Sequence, residues 1–296
     1  LLSDRASMKK GKKSKRMRQK PSAAFIVVFV LFCIYAFLLL YPYLWAFMTT
    51  FKLENDYNNN RVGFPEIWTF DNYINAFTEL SAAGRSLITM LFNSLWYSVG
   101  GTLVAIAAST VSAYVVAKYR FPGRQLVYGT ALFTMVLPII GALPSQYTMY
   151  GKLNILDSPF YLITFANGLG FNFIILYGFF KSLPWSYIEA SYLDGAGHFR
   201  TFISVMIPQA MPVIASLGIV AFISTWNDYM NPILFLESFP TMSMGLYIYQ
   251  QETMQQGVNI PILFAGVVMS VIPVLTLFIV FQNSIMSLTL GGGLKG

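Results

Sequence analysis

Six stretches of this sequence are long and apolar enough to cross a hydrocarbon layer: about 23–48, 93–116, 126–149, 159–180, 209–236 and 261–288. A helix rising 1.5 Å per residue needs ~20 residues to cover ~30 Å of lipid. Between them the six runs hold one charged residue, Asp228. Backbone N–H and C=O groups find no water in lipid, so each run is predicted as a helix. Charged residues are 10% of the 296 and apolar residues 56%. That is too little polar sequence to clothe a soluble globule, and it excludes a disordered chain. The predicted fold class is an all-α membrane protein with six transmembrane helices.

The net charge of +7 is unevenly distributed. Residues 1–20 carry nine cations (Arg5, Lys9, Lys10, Lys12, Lys13, Lys15, Arg16, Arg18, Lys20) against Asp4, and the remainder is close to neutral. Because this tail runs straight into an apolar segment, it reads as a cytoplasmic anchor on anionic headgroups, not a nucleic-acid arm. The first apolar run is too long for a signal-peptide core and lacks a small-residue cleavage site, so it is kept as a span. Leu1–Ser7 is open to being a vector-derived leader, with Met8 the natural start. With the N-terminus inside, fifteen Lys and Arg fall on inner segments and four on outer ones (Lys52, Arg61, Arg85, Lys152). That asymmetry places both termini in the cytoplasm. The expected organisation is a basic tail (1–22), a transmembrane domain (23–290) and a short cytoplasmic tail (291–296).

The chemistry of catalysis is sparse. A single cysteine, Cys33, and a single histidine, His198, provide neither a disulfide nor a metal cluster. An intramembrane enzyme needs convergent His, Asp or Glu within the spans, and one Asp does not make such a set. No Gly-rich phosphate loop followed by Lys-Ser/Thr is present, so ATP hydrolysis by that route is excluded.

Two connections are longer than a membrane hairpin needs. In the outer stretch 49–92, Phe70, Tyr73, Ile74 and Phe77 recur at helical spacing, which predicts a short amphipathic helix over Thr69–Leu80. In the inner stretch, residues 182–208 predict a helix–turn–helix. Pro184 suits a first helical turn, and Trp185–Leu193 continue it. Gly195 and Gly197 end it in left-handed conformations, and a second helix over about 198–206 stops at Pro208. Ile188, Tyr192 and Phe199 offer apolar contacts, and Glu189 and Asp194 offer charge. A part-apolar cytoplasmic surface of this kind is expected to dock a protein. Lying on lipid is the competing role, disfavoured by the acids and the scarcity of Lys.

Here the sequence resembles a known family. Glu189-Ala190-Ser191, Asp194-Gly195-Ala196 and Val205-Met206-Ile207-Pro208 are similar to the EAA loop of binding-protein-dependent ABC importer permeases. The family pattern is Glu-Ala-Ala, a Gly four positions later and a closing Ile-x-Leu-Pro; this chain has Ser, Val and Ile as departures. Phe64-Pro65, Phe70-Asp71-Asn72-Tyr73, Asn93-Ser94-Leu95, Arg120-Phe121-Pro122-Gly123-Arg124, Leu153–Asp157 and Trp226-Asn227-Asp228-Tyr229 with Pro232 resemble further family segments. The Gly291–Gly296 terminus is similar to that of the maltose-type permeases. Together these point to the carbohydrate-import branch, in the position of the second, six-helix permease subunit.

The resemblance implies a non-enzymatic subunit in a multi-pass bacterial inner (cytoplasmic) membrane setting. It implies a second homologous permease subunit, two cytosolic ATPases that bind ATP and Mg, and an extracytoplasmic solute-binding protein that delivers the sugar. No cofactor, metal site, catalytic residue or nucleic-acid partner is implied for this chain. The coupling residues would be Glu189, Ala190, Ser191, Asp194, Gly195 and Pro208. Glu189 would meet a basic residue of the ATPase, Ala190 would allow close approach, and Gly195 would make the turn. Asp194 is expected to cap the second helix.

Candidates for the substrate pathway are Asn167, Asn172, Asn227 and Asp228. Asn167 and Asn172 are ~140° apart on a helix, so at most one would face the pathway, and interhelical bonding is the commoner role for such Asn. Asp228 is the one intramembrane acid; pairing with a neighbouring helix is put ahead of sugar binding. Alternatives are an ABC permease for a non-sugar solute such as a glycerol phosphate, and a secondary transporter, in which the docking loop would have no purpose.

Overall fold

The structure, a computed structural model, describes residues 23–136, 141–256 and 259–291. The basic tail, residues 137–140 within the third apolar run and all of the C-terminal tail beyond Gly291 lie outside the described residues. The chain divides into two compact units, one ending at Ala46 and one beginning at Phe47.

The first unit is helix α1 (Ala23–Thr49) as far as Ala46. Its best 18-residue window has a mean hydropathy of 3.0 and it is apolar on all sides, the pattern of a span and not of a helix with one buried face.

The second unit begins with two short helices, α2 (Glu54–Asn59) and α3 (Asp71–Glu79), and a two-residue hairpin, β1 (Ser81–Ala82) with β2 (Arg85–Ser86). The predicted Thr69–Leu80 helix is thus present, two residues shorter at its start and one at its end. Asn72 holds it down: its amide Nδ2 donates to Thr50 O (2.8 Å) and Lys52 O (2.7 Å). The long helix α4 (Leu87–Lys118) follows, without a charge until its last residue. Next come α5 (Arg124–Val136), α6 (Leu143–Lys152), a 3-10 helix (Pro159–Phe165) and α7 (Phe171–Ser182). Then α8 (Ser186–Leu193) and α9 (His198–Thr201) lead through one π-helical turn (Phe202–Met206) into α10 (Ile207–Trp226). The chain ends with α11 (Met230–Phe235), α12 (Met242–Gln256) and α13 (Ile260–Gly291).

Four of the described helical stretches are long and apolar enough to cross a membrane: Ala23–Thr49, Leu87–Lys118, His198–Trp226 and Ile260–Gln282. Three expectations of continuous helices need correction. Within 126–149, Gly141 takes a left-handed φ of 80° just before α6, which an α-helix cannot accommodate. Within 159–180, a 3-10 helix ends at Phe165 and α7 begins only at Phe171, leaving Ala166–Gly170 non-helical. Within 209–236, α10 stops at Trp226 and the short α11 restarts at Met230. Hydropathy registers side chains and is blind to such backbone breaks.

Packing in the second unit gathers in three clusters. One joins α4, α7 and α10 with the loop after α7 through Phe173, Phe180, Ile188 and Met206, all fully buried. A second joins α3, α4, α12 and α13 around Leu80, Leu87, Met90 and Ile262. The third sets Tyr97 of α4 against Tyr161 and Phe235. Lipid tails are as apolar as these side chains, so shape complementarity and hydrogen bonds hold the bundle more than burial from water does.

Candidate functional site

The segment after α7 is built around Pro184. The residue before a proline avoids helical geometry, and Leu183 is extended (φ −68°, ψ 134°), which ends α7. Lys118, at the end of α4, donates from Nζ to the freed Leu183 carbonyl at 2.6 Å. Trp185 then opens α8, its carbonyl accepting from Ile188 (2.9 Å) and Glu189 (3.2 Å). Glu189 lies in the first turn, where a carboxylate complements the helix dipole.

One face of α8 is buried and the other is free. Ile188 is fully buried among Phe180 and Met206, which corrects its expected role as a docking contact. Ser191 is also buried, and its hydroxyl bonds that of Thr201 at 2.8 Å, tying α8 to α9. The exposed face carries Tyr187, Glu189, Ala190 and Leu193, and Phe199 stands exposed on α9. Leu193 is 89% exposed, an apolar side chain that nothing among the described residues covers.

The turn between the helices is a Schellman motif. Gly195 N–H donates to Tyr192 O (3.0 Å) and Ala196 N–H to Ser191 O (3.0 Å), with Gly195 at φ 76°. Gly197 does not share this conformation; it is extended at φ −78° and precedes α9. Asp194 closes α8 through its own N–H to Ala190 O and is not a cap of α9, whose N-cap is Gly197. Nor does the second helix stop at Pro208. The π-helical turn Phe202–Met206, closed by Ile207 N–H to Phe202 O, immediately precedes the proline and loosens the turn its ring would otherwise clash with, and the helix runs on to Trp226.

An aromatic and imidazole chain secures the turn. His198 Nδ1 lies 2.5 Å from Tyr192 Oη and 3.0 Å from Tyr119 Oη. Desolvation, then the neighbouring Tyr119 hydroxyl, push the Tyr192 phenol up to about 12. Beside the turn, a groove of ~320 Å³ is lined by Tyr187, Ala190, Asp194 and Arg200 among others. Of the six expected coupling residues, Glu189, Ala190, Asp194 and Gly195 are exposed, Ser191 is buried, and Pro208 belongs to α10.

The second candidate region is the break after α10. Asp228 Oδ2 accepts from Tyr97 Oη (2.7 Å) and Asn231 Nδ2 (2.7 Å), and Oδ1 accepts from Asn231 N–H (3.1 Å). Three donors on two oxygens is the pattern of an acceptor-only carboxylate. Its partner Tyr97 is fully buried on α4. Asn227 is exposed and its Nδ2 returns to Ile223 O (2.8 Å). Asn227 and Asp228 share a cavity of ~440 Å³ with Phe165, Ser224, Tyr229 and Asn231.

Asn167 and Asn172 are not in that lining. Asn167 lies in the non-helical Ala166–Gly170 segment, its Oδ1 accepting from Leu169 N–H at 3.3 Å, so the helical-wheel argument does not apply to this pair. Tyr97, Asn231 and Thr201 were not foreseen. Asn231, three residues after Asp228 at the start of a short helix, fits a capping signature; Tyr97 and Thr201 come from tertiary contacts with no local signal.

The chain belongs to the family described as binding-protein-dependent transport system inner membrane component, whose sequence profile matches residues 101–285. Members are non-catalytic membrane subunits of ABC importers and carry no cofactor of their own. Among its relatives, the diacetylchitobiose uptake system permease protein NgcG of Streptomyces coelicolor is 30% identical over 259 residues, 86% of this chain and 84% of that protein. The maltodextrin transport system permease protein MdxG of Bacillus subtilis is 27% identical over 274 residues, 89% of this chain and 96% of the other. The fold is similar to a chain of a bacterial ABC transporter involved in the import of the acidic polysaccharide alginate. There the TM-score is 0.74 at 25% identity, covering 89% of this chain and 98% of that one.

Proposed function

We propose that this chain is the permease subunit of an ATP-driven importer and forms half of a pathway for a carbohydrate, most simply an oligosaccharide. The observation that carries the reading is the 182–208 segment: one face anchored by Ile188 and Ser191, the other presenting Glu189, Ala190 and Leu193 to a partner. The diacetylchitobiose uptake and maltodextrin transport systems to which the related permeases belong support the sugar class.

In this reading α8 seats in a cytosolic ATPase that binds ATP and Mg. A second permease subunit completes the pathway, and an extracytoplasmic binding protein supplies the sugar. Six crossings come from the four long helices together with two composite ones, α5 with α6 and the 3-10 helix with α7. Lys and Arg asymmetry sets both termini and the 182–208 loop in the cytoplasm of a bacterial cell. Residues 1–22 act as a basic anchor, 23–290 as the transmembrane domain and 291–296 as a short tail. Closure of the ATPases swings the bundle between inward and outward access. Asp228 shapes the helix break through Tyr97 and Asn231, and Asn227 faces the adjoining cavity.

The test is reconstitution in vesicles with the ATPases, the second permease and the binding protein that co-purify with it from its own membrane. ATP-dependent uptake of an oligosaccharide that this binding protein recognises is expected. Solute uptake that runs without any ATPase would mean a secondary transporter instead.

A further inference from the structure

Four cations converge where α4 and α7 end. Lys118, Arg120, Arg124 and Lys181 line one cavity of ~660 Å³, together with Tyr119, Leu183 and Trp185, and among the described residues no acid lines it. Two of the four have hydrogen-bond partners that do not neutralise them. Lys118 Nζ donates to Leu183 O (2.6 Å) and Arg124 Nη2 to Ala117 O (3.2 Å), both neutral carbonyls. Lys181 stands 5.6 Å over the Tyr177 ring. Arg120 is exposed. The cavity therefore concentrates four positive charges without a counter-charge of its own.

The position of these charges along the helices is informative. Lys118 is the only charged residue of the 32-residue α4, and Lys181 the only one of α7, each in its last turn. A basic residue that ends an otherwise uncharged apolar helix marks headgroup depth, and Tyr119 and Trp185 are the aromatic types that favour that layer. The ligand chemistry is a phosphate, and the depth selects its source.

We propose that this cavity binds the phosphate of an anionic phospholipid headgroup. The headgroup joins the turn between α4 and α5, through Arg120 and Arg124, to the entry of the 182–208 segment, through Lys181. Leu183 and Trp185, which line the cavity, immediately precede α8, so occupancy steadies the base of the docking helix. The proposal rests on the membrane-spanning reading of α4 and needs neither the sugar nor the orientation.

The experiment titrates phosphatidylglycerol into the delipidated full chain, purified with whatever subunits it retains, and counts bound lipid by native mass spectrometry. Phosphatidylcholine is titrated in parallel. Preferential binding of phosphatidylglycerol is expected. It should weaken about fivefold per cation removed, hence about twenty-fivefold in the Arg120→Gln/Lys181→Gln double variant. Arg120→Lys/Lys181→Arg should restore it, and Lys152→Gln, outside the cavity, should leave it unchanged. Unaltered phosphatidylcholine retention shows that the variants are folded. Equal phosphatidylglycerol binding by wild type and the double Gln variant would overturn the proposal. So would full displacement of the lipid by inorganic phosphate, which would mark a free-anion site. A double Gln variant that keeps the lipid and loses an associated subunit would show that the cavity faces protein.

Discussion

Replacing Tyr97 by Phe removes one hydroxyl and nothing else from a fully buried site on α4. That hydroxyl donates to the Asp228 carboxyl at 2.7 Å, while Asn231 supplies the other two bonds. Hydrogen bonds to charged groups are worth about 1.5–3 kcal/mol in soluble proteins. Interhelical bonds within membranes average only about 0.6 kcal/mol and reach about 1.7, because the unfolded chain in lipid also finds partners. Full burial of Tyr97 and the charge on its acceptor place this bond at the upper end, about 1–2 kcal/mol. Tyr97→Phe should lower the unfolding free energy in mixed micelles by that amount, followed by tryptophan fluorescence; Trp226 adjoins the break. In an Asp228→Asn background the same substitution should have a much smaller effect. Solute preference should not change. Stability losses that add to within ~0.3 kcal/mol would show that the two side chains are not coupled and refute the reasoning.

Glu189→Lys should detach or uncouple the ATPase, since like-charge contacts across an interface cost several kcal/mol; uptake should fall at normal membrane abundance, measured by transport assay and immunoblot. Gly195→Ala should cost about 1–2 kcal/mol locally, because the residue keeps φ 76° although, beyond its chain neighbours, no atom of the described residues lies within 4 Å of the added Cβ, and hydrogen exchange across α8 and α9 should rise. Ser191→Ala leaves the Thr201 hydroxyl buried alone and should destabilise by about 1–3 kcal/mol in thermal unfolding, whereas adding Thr201→Val should recover most of it. Cysteines at Asn59 and Ala190, both exposed, should react with an impermeant reagent from opposite sides of right-side-out cells, Asn59 from outside; labelling of both from one side would reject the topology.

The long helices were legible because lipid imposes a simple requirement, and Leu87–Lys118 meets it with no interior charge. The breaks were not. Asn167, Gly168 and Gly170 sit inside an apolar run, and the conformations they adopt against α4 emerge only on packing; Ser109 Oγ, for example, bonds Asn167 O at 3.1 Å. In the 182–208 segment the turn at Gly195 could be read, since the Schellman geometry favours glycine there. Which face of α8 would be buried could not. Ile188 and Leu193 are equally apolar in the sequence, yet one is sealed among Phe180 and Met206 and the other is 89% exposed. Asp228 stood out as a lone acid, but its partner Tyr97 lies 131 residues away and belongs to a different helix.

The π-helical turn at Phe202–Met206 carries α9 into α10, so His198–Trp226 is one continuous 29-residue rod, with the π turn, Pro208 and Pro212 as its points of bending. At 1.5 Å per residue that rod is ~43 Å long. One end of it follows the Gly195 turn and the other meets the Asp228 break. A displacement at the Gly195 end reaches the Asp228 break only as far as the π turn, Pro208 and Pro212 hold their geometry, since these are the positions at which such a helix bends. Stiffness at those three positions, more than any other side chain along the rod, sets how much of a displacement at one of its ends arrives at the other.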